Sequence, residues 1–228
     1  MTLGRFGLAV LAAFLTLGVA QAAFADGGRK PLDGEELVAQ DAAVDFDCNP
    51  AGTSTITFAA SGIATGPYPG PFTVSGTVTI GPQTEPGPRP GTNSGLVVRF
   101  RETFLIESSL GTVSGVKKLT HPNDNSLGTC QDVTDFDVGD VVDGDGTVVD
   151  VFVQPRYVAK IREPGGNFHD RGDALVSFSE LELDGCAVFC PFRQAGFSQG
   201  FMSRTPPAGD DLDNTDMDDE IENEVPTP

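Results

Sequence analysis

The sequence predicts an all-β protein, a single antiparallel β-sandwich or barrel of about eight to ten strands built from sequential hairpins. Apolar and polar residues alternate along many short stretches, which is the period of a strand with one buried face. The 28 Gly and 17 Pro residues divide these stretches, and no long run has the 3.6-residue period of a helix. A hydrophobic content of 39% is sufficient for one core.

Residues 1–25 have the features of a signal peptide. Arg5 is the only charged residue before Asp26, an apolar run covers residues 6–19, and small residues then form two candidate cleavage sites, at 20–22 and 23–25. The apolar run is short for a membrane span, so we expect no membrane insertion after cleavage. The mature chain is therefore expected to be secreted or held at the cell surface, in an oxidising space.

The rest of the chain divides into a polar lead-in at 26–43, a β domain at 44–204 and an acidic tail at 205–228. No basic residue follows Arg204. The tail carries nine acids: Asp210, Asp211, Asp213, Asp216, Asp218, Asp219, Glu220, Glu222 and Glu224. We expect this segment to be disordered because it has little to bury. A contact with a divalent ion or a basic partner is the alternative to a merely solvating role.

The charge and the motifs restrict the possible functions. A formal net charge of −19 argues against nucleic acid and anionic membrane surfaces as partners. The chain has no His-x-x-x-His spacing, so this metal-binding catalytic pattern does not support an enzyme. The sequence leaves the partner unknown, with a protein or a glycan as the candidates.

The stretch Leu96–Leu119 is predicted to form a hairpin with a turn at Ser108–Gly111. Pairing of the residues on either side of the turn places Glu102 opposite Lys117, on the apolar face of the hairpin. A charge on a core-facing surface is costly unless it is paired. This pair is therefore either a structural bridge or the floor of a polar pocket, in which Glu102 would act as acid, base or ligand anchor and Lys117 would set its charge.

A short internal repeat supports this hairpin. The string Thr-Val-Ser-Gly occurs twice, ending at Gly76 and at Gly115. If the hairpin is duplicated, Phe58 faces Gly76 as Phe104 faces Gly115. In the first copy the places of the charged pair are taken by Ile56 and Val78.

An aspartate-rich stretch provides candidate calcium ligands, of which Asp140, Asp143 and Asp145 are the best placed. The segment Asp143–Gly146 resembles the middle of an EF-hand loop, but apolar residues stand where the first and last ligands belong. Asp-Gly steps are also typical of a tight hairpin turn, which is the preferred interpretation.

The four cysteines are Cys48, Cys130, Cys186 and Cys190. In an exported protein an even number suggests two disulfides, with three possible connectivities. We favour a bridge between Cys48 and Cys130 and a second between Cys186 and Cys190. A zinc site made from all four thiolates is less favoured because the spacing lacks paired Cys-x-x-Cys motifs.

Three runs, at 46–53, 66–70 and 76–82, resemble uncharacterised secreted bacterial β-rich proteins. The resemblance covers mainly residues 44–120 and implies no activity. The sequence therefore predicts an exported, non-catalytic β domain that acts as a binding or structural module at or beyond the cell surface. The alternatives are a small-molecule-binding or enzymatic β-barrel with Glu102 and Lys117 in its pocket, and a calcium-stabilised adhesion module.

Overall fold

A computed structural model describes residues 30–89, 91–119, 121–137, 143–183 and 196–205, without the side chains at 134–137, 143–144 and 181–183. These residues form strands and their connections. No helix in this part of the chain is long and apolar enough to span a membrane. The predicted signal peptide, the tail after Thr205 and the predicted bridge between Cys186 and Cys190 lie outside the described residues.

Eleven strands follow one another along the described chain. They are β1 (Glu36–Asp47), β2 (Ser54–Thr65), β3 (Gly70–Ile80), β4 (Glu85–Pro86), β5 (Asn93–Ser108), β6 (Gly111–Lys118), β7 (Leu127–Asp137), β8 (Asp143–Val153), β9 (Arg156–Glu163), β10 (Gly166–Leu183) and β11 (Gly196–Ser203).

The strand pairings close into a ring. Pairing runs from β1 through β2 and β3 to β5, and from β10 through β11 back to β1. β5 pairs with β7 near its start and with β6 towards its end, so β6 and β7 together occupy one position of the ring. In the same way, β10 pairs with β9 along its first half and with β8 along its second half, so β9 and β8 together occupy the next position. With β4 off the ring, eight antiparallel positions remain. Of the two predicted architectures, the sheet is therefore the barrel.

The first strand begins earlier than the sequence indicated. β1 starts at Glu36, so it includes the end of the segment predicted to be a polar lead-in. Its pairing with β2 shifts between Ala39 and Asp41. Leu37 and Ala39 face the core before this bulge and Ala42 does so after it, so the buried side changes from odd to even positions. The bulge breaks the two-residue alternation by which a strand is recognised.

The register predicted for the central hairpin is confirmed. Glu107 pairs with Thr112 across the turn, and Glu102 lies opposite Lys117. Both charged side chains point into the barrel with the apolar residues of β5 and β6. The fold therefore places an ion pair among core residues.

Aromatic rings fill much of the interior. They form two contacting groups, one of Phe58, Phe100, Phe178 and Phe197 and the other of Phe104, Tyr157 and Phe201. All of these rings are at most 5% exposed. The second group packs around the buried ion pair.

Two of these rings cover strand glycines, as the repeat predicted. Phe58 lies opposite Gly76, and Phe104 lies opposite Gly115. A Cβ atom on Gly115 would lie 2.5 Å from the ring of Phe104 and 2.5 Å from the carbonyl oxygen of Val158. Only glycine fits this position, because one of the two obstacles is backbone.

We expect Gly115→Ala to lower the free energy of unfolding by about 1–3 kcal/mol, the usual effect of overpacking a core. Gly200→Ala is the matched control, since a Cβ on that strand glycine meets nothing within 4 Å. Urea unfolding of the two variants checks the prediction. Equal stability of the two variants would contradict the close packing described for Gly115.

Candidate functional site

The buried pair has a third member. Lys117 Nζ donates to Glu102 Oε1 at 2.7 Å and to the side-chain oxygen of Gln199, and the Gln199 amide donates to Glu102 Oε2. Gln199 belongs to β11, so the triangle joins β11 to β5 and β6 across the interior. The side chains of Glu102 and Lys117 are 0% exposed. Each member of the triangle has both others as partners.

The surroundings of the triangle are aromatic. Lys117 Nζ lies 4.7 Å from the centre of the Phe104 ring and 4.3 Å from that of Phe201, within the range of cation–π attraction. Burial raises the pKa of the Glu102 carboxyl, and Lys117 and Gln199 oppose that rise. Burial also lowers the pKa of the Lys117 ammonium, against the pull of Glu102. Pairing and hydrogen bonding thus offset part of the loss of water for both groups, while burial remains the larger effect on each pKa.

Sequence reasoning identified two members of the triangle and missed Gln199. A signal existed, since Gln199 stands between Phe197 and Phe201 at the inward positions of an alternating strand. A polar residue on the inward side of such a strand requires a buried partner. The sequence could not indicate which strand would supply that partner.

A second polar cluster closes the end of the barrel where β1 begins and β11 ends. Asp170 is 0% exposed, and its carboxylate accepts hydrogen bonds from the Leu32 backbone at 2.7 Å, the Tyr157 hydroxyl at 2.9 Å and the Ser203 hydroxyl at 2.6 Å. The hydroxyl of Thr205 also donates to it. Asp170 therefore anchors the chain before β1 and the chain after β11.

Glu35 directly precedes β1, at the same end of the barrel, and its carboxylate has fewer hydrogen-bond partners than that of Asp170. Its Oε2 accepts the backbone N–H of Tyr68 at 2.7 Å, whereas its Oε1 is buried without a hydrogen-bond partner. Burial raises the pKa of Glu35 from 4.5 to about 7, and the Tyr68 N–H partly opposes the rise. Burial also raises the pKa of the Tyr68 hydroxyl, with further contributions from Glu163 at 2.6 Å and from Asp170.

We expect Glu35 to make the protein less stable as the pH rises. The folded state holds this proton up to about pH 7 and the unfolded chain releases it near pH 4.5, so the group's contribution is fully present below 4.5 and lost as the pH passes 7. A shift of this size corresponds to about 3 kcal/mol. Glu35→Gln should gain stability relative to the parent protein across this range.

Urea unfolding of both proteins from pH 4 to pH 8 measures this contribution. The other acids titrate alike in the two proteins, so the difference between the unfolding free energies isolates Glu35. A difference that stays constant with pH would show that Glu35 does not hold its proton in the folded state.

The outer surface carries a groove of about 440 Å³. It lies where β6 passes into β7 and β8 into β9, and it extends over β10 and β11. Its lining combines the basic residues Lys118, Arg156 and Arg204 with Asp173, with polar residues and with the apolar Leu175 and Met202. Leu175 is 37% and Met202 45% exposed. Arg204 also donates to Asp173 at 2.7 Å on the groove wall.

A row of cations runs from this groove across the neighbouring strands. Arg101 lies opposite Lys118, and Lys118 lies opposite Arg156. The chain has only 14 basic residues against 33 acidic ones, so three cations on adjacent strands are more than its composition would lead one to expect. We call Arg101, Lys118 and Arg156 the cation row.

The three calcium candidates are placed only in part. Asp140 and the side chain of Asp143 lie outside the described residues, and Asp145 is exposed on β8. The described part of the chain contains no group of three or more His, Cys, Asp or Glu side chains that could hold a metal ion. The hairpin turn predicted at Asp143–Gly146 is wrong, because these residues belong to β8 and pair with β7. Pairing with β7 continues to Asp143, so the connection falls before it.

The predicted disulfide between Cys48 and Cys130 is confirmed, with Cα atoms 5.1 Å apart. Cys48 directly follows β1 and Cys130 lies in β7, and these strands are not neighbours in the ring. The side chain of Gln83 bonds to both backbone groups of Cys130 at 2.9 Å. The bridge therefore ties together distant parts of the barrel.

Comparison with known proteins found no family model, curated protein or solved structure that matches this chain.

Proposed function

We propose that this chain is an exported, non-catalytic β domain that acts as a binding or structural module at or beyond the cell surface. The supporting observation is the closed triangle of Glu102, Lys117 and Gln199. These side chains are at most 4% exposed and are hydrogen-bonded to one another, so a ligand would have to break existing bonds to reach them. The enzymatic alternative requires the opposite, an open carboxyl with room for a substrate.

The disulfide supports the export half of the proposal. Disulfides persist in oxidising spaces and are rare in the cytosol. The bridge between Cys48 and Cys130 agrees with a leader of the signal-peptide type at residues 1–25.

The intact mass of the chain recovered outside the producing cells tests export. We expect loss of the first 22 or 25 residues, the two candidate cleavage sites, and oxidation of the Cys48–Cys130 pair. A cell-retained chain that keeps its first residues and has a free thiol at Cys48 would contradict export.

The groove and the cation row are the surface through which we propose that the domain binds a partner. A row of cations on a chain of net charge −19 selects an anionic protein or glycan. Measuring the affinity of the protein for poly-L-glutamate and for a sulfated glycan tests this. The double variant Arg101→Ser/Arg156→Ser removes two cations of the row, and Arg162→Ser is the control. Binding that is equal in all three proteins would separate the function from this surface.

A further inference from the structure

We propose that the groove and the cation row form a docking site for the chain's own acidic tail, residues 206–228. The inference rests on the proposed function only in that both use this surface. It names the occupant of the surface when no external partner is bound.

Position is the first argument. β11 ends at Ser203, and Met202 and Arg204 line the groove. The described chain ends at Thr205, which is anchored to Asp170. The tail therefore starts at the edge of the groove.

Reach is the second argument. The cross-strand line from Met202 to Arg101 passes through Asp173, Arg156 and Lys118, which is four strand-to-strand steps. At about 4.8 Å a step this distance is about 19 Å. An extended chain covers about 3.3 Å per residue, so about six residues beyond Thr205 suffice. The sixth residue beyond Thr205 is Asp211, so the first acids of the tail, Asp210 and Asp211, fall at about the far end of the row.

Chemical complementarity is the third argument. The tail carries nine acids and no base, whereas the surface carries Arg101, Lys118 and Arg156, beside Arg204 in its ion pair with Asp173. The acids are interspersed with four apolar residues, Leu212, Met217, Ile221 and Val225. The groove offers exposed Leu175 and Met202 beside its cations.

Tethering makes weak contacts sufficient. Each exposed ion pair contributes little, and salt screens it. A tail joined at the edge of its site has an effective concentration on the order of millimolar, so docking does not require tight contacts. An external anionic partner then has to displace the tail.

Zero-length carbodiimide coupling of the full chain tests the proposal, because it joins an amine only to a carboxylate in contact with it. The chain has four lysines, at 30, 117, 118 and 160, of which Lys117 is buried. Lys160 is the internal control, since it lies on the outer face of β9 away from the groove. Trypsin releases residues 205–228 as one peptide, so tail adducts are identified by mass.

We expect the tail to couple to Lys118 in preference to Lys160, within one molecule, and to lose this preference in 1 M salt. Arg101→Ser/Arg156→Ser should lower the yield about fivefold, as expected from the loss of two exposed ion pairs, and Arg162→Ser should leave it unchanged. Coupling to Lys160 as often as to Lys118, or an absence of tail adducts, would overturn the inference.

Mixing isotope-labelled and unlabelled chains before coupling distinguishes docking of a molecule's own tail from docking of the tail of a second copy. Mixed adducts would show that the site takes the tail of a second copy, which overturns docking within one molecule. If no tail adduct forms and poly-L-glutamate still binds the cation row, the inference fails while the proposed function stands. If no tail adduct forms and poly-L-glutamate does not bind either, both tail docking and the proposed binding role of this surface are wrong.

Discussion

Glu102→Ile is expected to lower the free energy of unfolding by about 3–5 kcal/mol, because it leaves the Lys117 ammonium buried without its counter-charge. Lys117 is 0% exposed, so bulk solvent does not reach the ammonium. Its other contacts are the Gln199 amide and two aromatic rings.

Replacing all three polar side chains should recover most of this loss. The first hairpin provides the template, since Ile56 and Val78 lie opposite one another at the corresponding places of β2 and β3. Glu102→Ile/Lys117→Val/Gln199→Leu copies that arrangement, and exchanging a buried ion pair for packed apolar residues is often neutral or stabilising. A triple variant as unstable as the single one would show that the triangle is more than a satisfied structural bridge.

Removal of the Cys48–Cys130 bridge should have a comparable effect. The two residues are 82 positions apart, and closing a loop of that length stabilises the folded state by about 4.5 kcal/mol in the chain-entropy model. The double variant Cys48→Ala/Cys130→Ala loses that constraint and also some packing, because Cys130 is 0% exposed. We therefore expect a loss of about 4.5 kcal/mol or more.

Urea unfolding of the oxidised parent and the double variant measures this loss. Cys186 and Cys190 are unchanged in both proteins, so the difference reports the one bridge. A difference well below 1 kcal/mol would mean that Gln83 and the strand pairings alone hold the position of Cys130.

The parts of the fold that follow local rules were predictable. The hairpin of β5 and β6 has its turn and alternation within one short stretch, so its register and the pairing of Glu102 with Lys117 followed from the sequence. The start of β1 did not, because a bulge near Gln40 interrupts the alternation. Ring closure also did not follow, since the contact of β11 with β1 joins residues far apart in sequence.

The candidate site divides in the same way. Lys118 and Arg156 lie 38 positions apart, and only the pairing of β6 with β9 makes them neighbours. Gln199 joins Glu102 through a contact across the barrel interior. Long-range pairing determines both contacts, and composition or spacing carries no record of it.

The central claim is that the Glu102–Lys117 pair is sealed inside the barrel and that the working surface lies outside. Reductive methylation of the native full chain tests it directly, with adjacent lysines as probe and control. Lys117 is 0% exposed and Lys118 lies on the outer face. We expect Lys118 and Lys160 to react in the folded protein and Lys117 to react only after unfolding in urea. Modification of Lys117 in the folded protein at the rate of Lys118 would mean that the interior is open, and the enzymatic or small-molecule alternative would take precedence.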